Sequence, residues 1–203
     1  EAMKEPIRAG SKEYDHIFNY LLGEKKIRAF WSPTVTLEMF TKTVPVDYSR
    51  MRRDAEAIKT VLDKAHGVLV ESPGGTELST GLKGRRAMKD DGDFSKPGSG
   101  GNLPAGETFI SPELGSSEGT IVFDGSISTP DGEIIIKEPI GCKVEGNFVV
   151  DIKGGFEAEK LAAAIKGSLK KLDSLVEAGG LPGEAKAEYA KNAYNLGELG
   201  IGL

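Results

Sequence analysis

The sequence predicts an α+β fold, a mixed and largely antiparallel sheet with hairpins and flanking helices, preceded by the tail of an α/β domain. Three observations lead there. Short apolar runs recur between residues 68 and 153, separated by turn signals such as Pro73-Gly74-Gly75 and Gly146-Asn147. Two longer segments, 49–65 and 157–177, carry apolar residues at helical spacing. Near the start the pattern runs helix, strand, helix, as in an α/β unit. The expected division is 1–45 for the C-terminal part of an N-terminal α/β domain and 46–203 for a partial catalytic domain.

Residues 11–22, SKEYDHIFNYLL, set Tyr14, Ile17, Phe18, Leu21 and Leu22 at helical spacing, with Ser11 as N-cap and Gly23 as a left-handed stop. KIRAFW (26–31) alternates like a strand. SPTVTLEMF then turns into a short helix around Thr36 to Phe40. The helix 49–65 presents Met51, Ala55, Ile58, Val61, Leu62 and Ala65 on one face. Residues 68–72 and 76–82 form a hairpin. Residues 83–105 hold few apolar side chains and read as one long loop, the kind that often serves function.

After that loop, strands are expected at 119–128, 133–137, 140–145 and 148–153. The helix 157–177 has an apolar stripe of Leu161, Ala164, Ile165, Leu169, Leu172, Leu175 and Val176, and Gly179-Gly180 stops it. A second helix is expected over 183–192, and YNLGELGIGL turns into a final strand. The first residues, Glu-Ala-Met-Lys, and the apolar run at the other end suggest a piece of a longer protein.

Composition narrows the function. A formal charge of −5 disfavours a nucleic-acid partner, since phosphate binding needs a basic face. Lys83, Arg85, Arg86 and Lys89 cluster, but beside Asp90, Asp91 and Asp93 they read first as a solvated loop. The single cysteine, Cys142, excludes an internal disulfide and suits a reducing, cytoplasmic setting. It sits in an alternating run and reads as a small core residue. No apolar run approaches the roughly 20 residues that span a bilayer, so no membrane partner is expected.

The chain has two histidines, His16 and His66, and both read as structural or surface residues. HExxH, CxxC, GxSxG and phosphate-loop patterns are absent from the sequence. What stands out is a pair of glutamates. Glu107 and Glu198 each follow a glycine and each open an apolar, strand-like run. Carboxylates with small neighbours suit divalent cations, because the backbone approaches closely and the oxygens can bridge ions. By spacing alone that signal is weak, and an ordinary solvated carboxylate is the usual alternative.

Around these residues the sequence resembles a family. NLPAGETFISP, GTIVFDGSIS and NLGELGIGL, with WSPTVTLEMF, TVPVDYSRM and GLKGRRAMKDDGDFSKPGSGGNLPAGE, resemble the metal-dependent aminopeptidases of the aminopeptidase T group (peptidase family M29). The likeness runs from about residue 30 onward and is most specific around 101–125 and 195–203. It implies a metallopeptidase that removes N-terminal residues from a peptide substrate by two-metal hydrolysis. It also implies Glu107 and Glu198 as ligands of two divalent ions (zinc, cobalt or magnesium), which the two carboxylates converge to neutralise, and the 83–89 loop beside the substrate entrance. The family's histidine, aspartate and tyrosine site residues lie further along and have no counterpart in these 203 residues. A homodimer is compatible with the resemblance. Two alternatives stay open: an iron-dependent dioxygenase of the same architecture that opens a dihydroxypyridine ring, and a non-catalytic binding or assembly module.

Overall fold

The computed structural model describes residues 6–14, 17–25, 27–32, 35–130 and 132–203. His16, Lys26, Pro33 and Thr34, on which some sequence expectations fall, lie outside the described residues.

The chain begins with a hairpin of β1 (Ile7–Ala9) and β2 (Lys12–Tyr14), where helical spacing predicted a helix from Ser11. Gly10, at φ +64°, closes the two strands on each other, and Ser11 sits in that turn instead of capping a helix. The helix α1 (Ile17–Gly23) keeps only the later part of the expected segment. The left-handed residue after it is Lys25, not Gly23. Next come β3 (Ala29–Trp31) and α2 (Leu37–Thr43). Thr36 caps α2 by accepting the Met39 N–H at 3.2 Å. The helix α3 (Tyr48–Leu62) is capped by Asp47, which accepts the Arg50 N–H at 3.0 Å. Of its expected apolar face Ala55 and Leu62 are buried, whereas Val61 is 67% exposed.

The hairpin β4 (Gly67–Glu71) and β5 (Glu77–Gly81) is as the sequence predicts. The following segment is not one loop. It holds β6 (Met88–Asp90) and β7 (Gly100–Asn102), the latter parallel to β3. Then follow β8 (Glu107–Ile110), β9 (Glu118–Phe123), β10 (Ser126–Thr129), β11 (Gly132–Ile135), β12 (Ile140–Glu145) and β13 (Phe148–Lys153). The single strand expected at 119–128 breaks at Asp124-Gly125, after which β10 pairs with β11. The chain ends with α4 (Phe156–Glu177), a short 3-10 turn, α5 (Lys186–Asn192) and β14 (Leu199–Gly202). This is the mixed, mostly antiparallel α+β architecture expected.

Two compact units partition these elements. The first holds the chain up to Asp63, with Ala87–Phe109 and Gly200–Leu203; the second holds Lys64–Arg86 and Ile110–Leu199.

The second unit is built on a five-stranded sheet in the order β13-β12-β9-β5-β4, antiparallel throughout. Strand period explains its core: Ile140, Cys142 and Val144 are buried while Lys143 and Glu145 alternate to the exposed face. Ile136, Ile140, Cys142 and Ala158 of α4 form a cluster, joined by Ile127, Val149, Ile152 and Leu161. Each fully buried aliphatic side chain of this kind contributes about 1.5–3 kcal/mol. The far end of the α4 stripe is less covered than expected, with Leu175 48% exposed. The tight turn between β12 and β13 uses Gly146 and Asn147, both left-handed.

Burial pushes the Cys142 thiol up to about 11, with a smaller contribution from the Asp151 charge. The thiol is therefore expected to resist a disulfide reagent at pH 8 in the native protein and to react once the protein is unfolded; rapid native labelling would contradict this. The folded-state pKa is raised, so the linked stabilisation is complete below about 9 and is lost as pH rises toward about 11.

Candidate functional site

Glu107 is the first residue of β8, the middle strand of a three-stranded sheet in the order β14-β8-β6. The residues on either side of Glu107 hold it where a loop becomes a strand. Gly106, just before it, adopts φ +130°, which L side chains rarely tolerate. Its N–H donates to the Asp90 carbonyl at 2.8 Å, and its own carbonyl accepts the Leu203 N–H at 2.8 Å. Thr108, just after, is fully buried, and its hydroxyl donates to the Ala55 carbonyl at 3.3 Å, tying β8 to α3. Glu107 is thus delivered by a strand anchored on either side of it.

Two features surround its carboxylate. In the β6–β8 ladder Asp90 lies directly opposite Glu107, so both side chains point to one sheet face. On β14, Gly200 packs against the Glu107 carboxylate so closely that a Cβ there would collide with it. Opposed like charges destabilise a strand pair unless a cation or a proton offsets them. Burial holds the Asp90 carboxyl above the usual range; the Asn102 N–H bond pulls the other way, and the Asp91 charge adds to the rise. The Glu107 carboxylate, a hard oxygen donor beside a glycine, suits a divalent cation better than an apolar ligand. Among the described residues no group of three His, Cys, Asp or Glu converges.

The sequence grouped Asp90 with Asp91 and Asp93 as solvated loop acids. The structure instead places it partly buried in β6, with its carboxylate accepting the Asn102 N–H at 3.1 Å. The signal was slight, a single apolar residue, Met88, before two charged ones. Lys89 leaves the expected basic loop as well: it lies in β6 and pairs with Glu56 at 2.8 Å and Asp91 at 3.1 Å. Lys83, Arg85 and Arg86 belong to the second unit.

Glu198 is exposed in the coil before β14 and belongs to the second unit, whereas Glu107 belongs to the first. His66 is exposed beyond the end of α3, and its carbonyl accepts the Leu82 N–H at 2.9 Å. Among the described residues no helix is long and apolar enough to cross a membrane.

Comparison with known proteins completes the description. A family model described as NicX, 2,5-dihydroxypyridine 5,6-dioxygenase, matches residues 33–174. A 2,5-dihydroxypyridine 5,6-dioxygenase of Pseudomonas putida is 32% identical over 130 residues, which is 64% of this chain and 36% of that protein. The solved structure of the dioxygenase from Pseudomonas putida superposes with a TM-score of 0.64 at 24% identity, over 90% of this chain and 46% of that one. Wild-type AmpT from Thermus thermophilus superposes with a TM-score of 0.56 at 18% identity, over 81% of this chain and 36% of that one. The chain therefore spans less than half the length of these relatives.

These findings correct the resemblance drawn from the sequence. The family match overturns the aminopeptidase assignment, and with it the peptide substrate and the reading as a hydrolase or protease. The cause is architectural. An aminopeptidase T structure shares the fold, and a glutamate at a glycine-rich strand start does not distinguish two chemistries hosted by one fold.

Proposed function

The chain belongs to the NicX family, described as 2,5-dihydroxypyridine 5,6-dioxygenase, and from that premise we propose that it forms part of an iron-dependent dioxygenase that opens a dihydroxylated pyridine ring. In such a reaction the bond between the hydroxylated ring carbon and its neighbour breaks. Both atoms of dioxygen enter the product, leaving a carboxylic acid on the first carbon and a formyl group on the second. Ferrous iron, when bound, supplies the chemistry that lets dioxygen react with an aromatic ring.

The observation that supports this reading is the seating of Glu107: it opens the strand that lies between β6 and β14, with Asp90 opposite it in the ladder and its carboxylate against Gly200. Glu107 offers an oxygen donor to the metal. Gly200, without a side chain, leaves room for the carboxylate against β14. The proposal takes Glu198 as a further carboxylate donor, to be tested in its own right.

The test uses the full-length protein. Elemental analysis is expected to give one iron per chain, and loss of 2,5-dihydroxypyridine absorbance is expected to follow addition of ferrous iron under air. Glu107→Gln is expected to reduce bound iron by about tenfold or more, and Glu198→Gln is measured the same way. Two zinc ions per chain with peptide turnover, or full iron in Glu107→Gln, would overturn the assignment.

A further inference from the structure

We infer that Asp90 is the positioning residue for Glu107, an inference that rests on reading Glu107 as a metal-binding carboxylate. Asp90 holds both ends of the turn that delivers Glu107. Its side-chain Oδ2 accepts the Asn102 N–H at 3.1 Å, where β7 ends. Its main-chain carbonyl accepts the Gly106 N–H at 2.8 Å, one residue before Glu107. Between these points the Ser32 hydroxyl donates to the Leu103 carbonyl at 2.6 Å, so the middle of the turn is tied down independently.

The packing around Asp90 is shaped for the carboxylate. Gly101 lies so close that a Cβ there would stand 2.6 Å from Asp90 Oδ1. No larger residue fits at that position without displacing the acid. The ladder then puts Glu107 directly across from Asp90, so a shift of the turn is passed to the glutamate without an intervening element. A hydrogen bond to a charged acceptor contributes more than a neutral one, and without it the exposed Asn102 amide turns to water and no longer holds the turn. The turn would then relax at its Asn102 end while remaining fixed at Gly106. Metal sites are sensitive to such slack, because a donor a fraction of an ångström out of place binds poorly.

Three variants of the full-length protein test this, with anaerobic titration of ferrous iron into the apo-protein as the readout and thermal melting as a check on folding. Asp90→Ala is expected to weaken iron binding by about tenfold or more. Asp90→Asn keeps an acceptor for the Asn102 N–H and is expected to restore binding to within about threefold of wild type, which a purely electrostatic role would not allow. Gly101→Ala leaves Asp90 in place but displaces its carboxylate, and is expected to match Asp90→Ala; it keeps the test open if Asp90→Ala fails to fold. Wild-type binding in both Asp90→Ala and Gly101→Ala overturns the inference. So does an Asp90→Asn defect as large as that of Asp90→Ala, which would show that Asp90 acts through its charge. Glu107→Gln run in parallel separates the two levels. If it binds iron normally, the reading of Glu107 itself has failed; if it loses iron while the Asp90 variants do not, only the positioning role has.

Discussion

Alanine in place of Gly200 is expected to cost the full-length protein most of its iron affinity while leaving its fold almost untouched. The added Cβ collides with the carboxylate of Glu107, not with main chain. A carboxylate is the far end of a flexible side chain, so the strain is relieved by turning Glu107 aside. The stability cost of such small overpacking stays near or below about 1 kcal/mol. The donor, however, no longer sits where the strands hold it, and affinity is expected to fall by about tenfold or more. Anaerobic iron titration and a melting curve on the same sample check both halves. A large loss of melting temperature with normal iron binding would show that Gly200 serves packing alone.

The second large effect is expected at Asn147. This residue is 1% exposed and left-handed at φ +75°. Its side-chain oxygen accepts the N–H groups of Ser116 and Ser117, each at 2.7 Å, and its amide donates to the Glu113 carbonyl at 3.0 Å. Nearby, the hydroxyls of Thr80 and Ser117 are 2.7 Å apart. Asn147→Ala removes three hydrogen bonds to main-chain groups that have little access to water, and it puts alanine in a left-handed conformation that asparagine tolerates better. The expected loss is about 3–5 kcal/mol by chemical denaturation, a large part of a typical stability of about 5–15 kcal/mol. Asn147→Gly relieves only the backbone term and should recover about 1 kcal/mol. A loss below about 1 kcal/mol in the alanine variant would mean that water replaces these bonds readily.

The two cases show what the sequence could and could not announce. The turn containing Asn147 was legible, because Gly146-Asn147 between two alternating runs is a local signal. So were α3 and α4, whose apolar spacing persists over 15 and 22 residues. Strands β6 and β7 were not. At three residues each they are too short for period to show, and one is charged while the other is Gly-Gly-Asn. They exist because neighbours supply their hydrogen bonds, β8 for β6 and β3 for β7. The same cause hid Asp90. Its significance comes from the strand opposite it, 17 positions along the chain. At the start, Tyr14 fitted a helical pattern, but the turn at Gly10 paired it with Ile7 instead.

The sequence singled out Glu107 through its glycine neighbour and the strand it opens, and placed it in a peptidase, a reading that the family match overturns. Both readings rested on residues around a shared fold, and the match over residues 33–174 places the chain in the NicX family. The ring-cleaving alternative was open at the outset because metal-holding carboxylates are common to both chemistries.

The strand that backs Glu107 has a consequence for biosynthesis. β8 begins at Glu107, but its neighbour β14 starts only at Leu199, roughly 90 residues further on. A ribosome must therefore release nearly all of this chain before that sheet can close. The β10–β11 and β12–β13 hairpins and α4, translated in the interval, form from near neighbours and can fold first, shortening the effective loop that remains. Closure of the sheet around Glu107 is accordingly a late event in folding, possible only once β14 has left the ribosome.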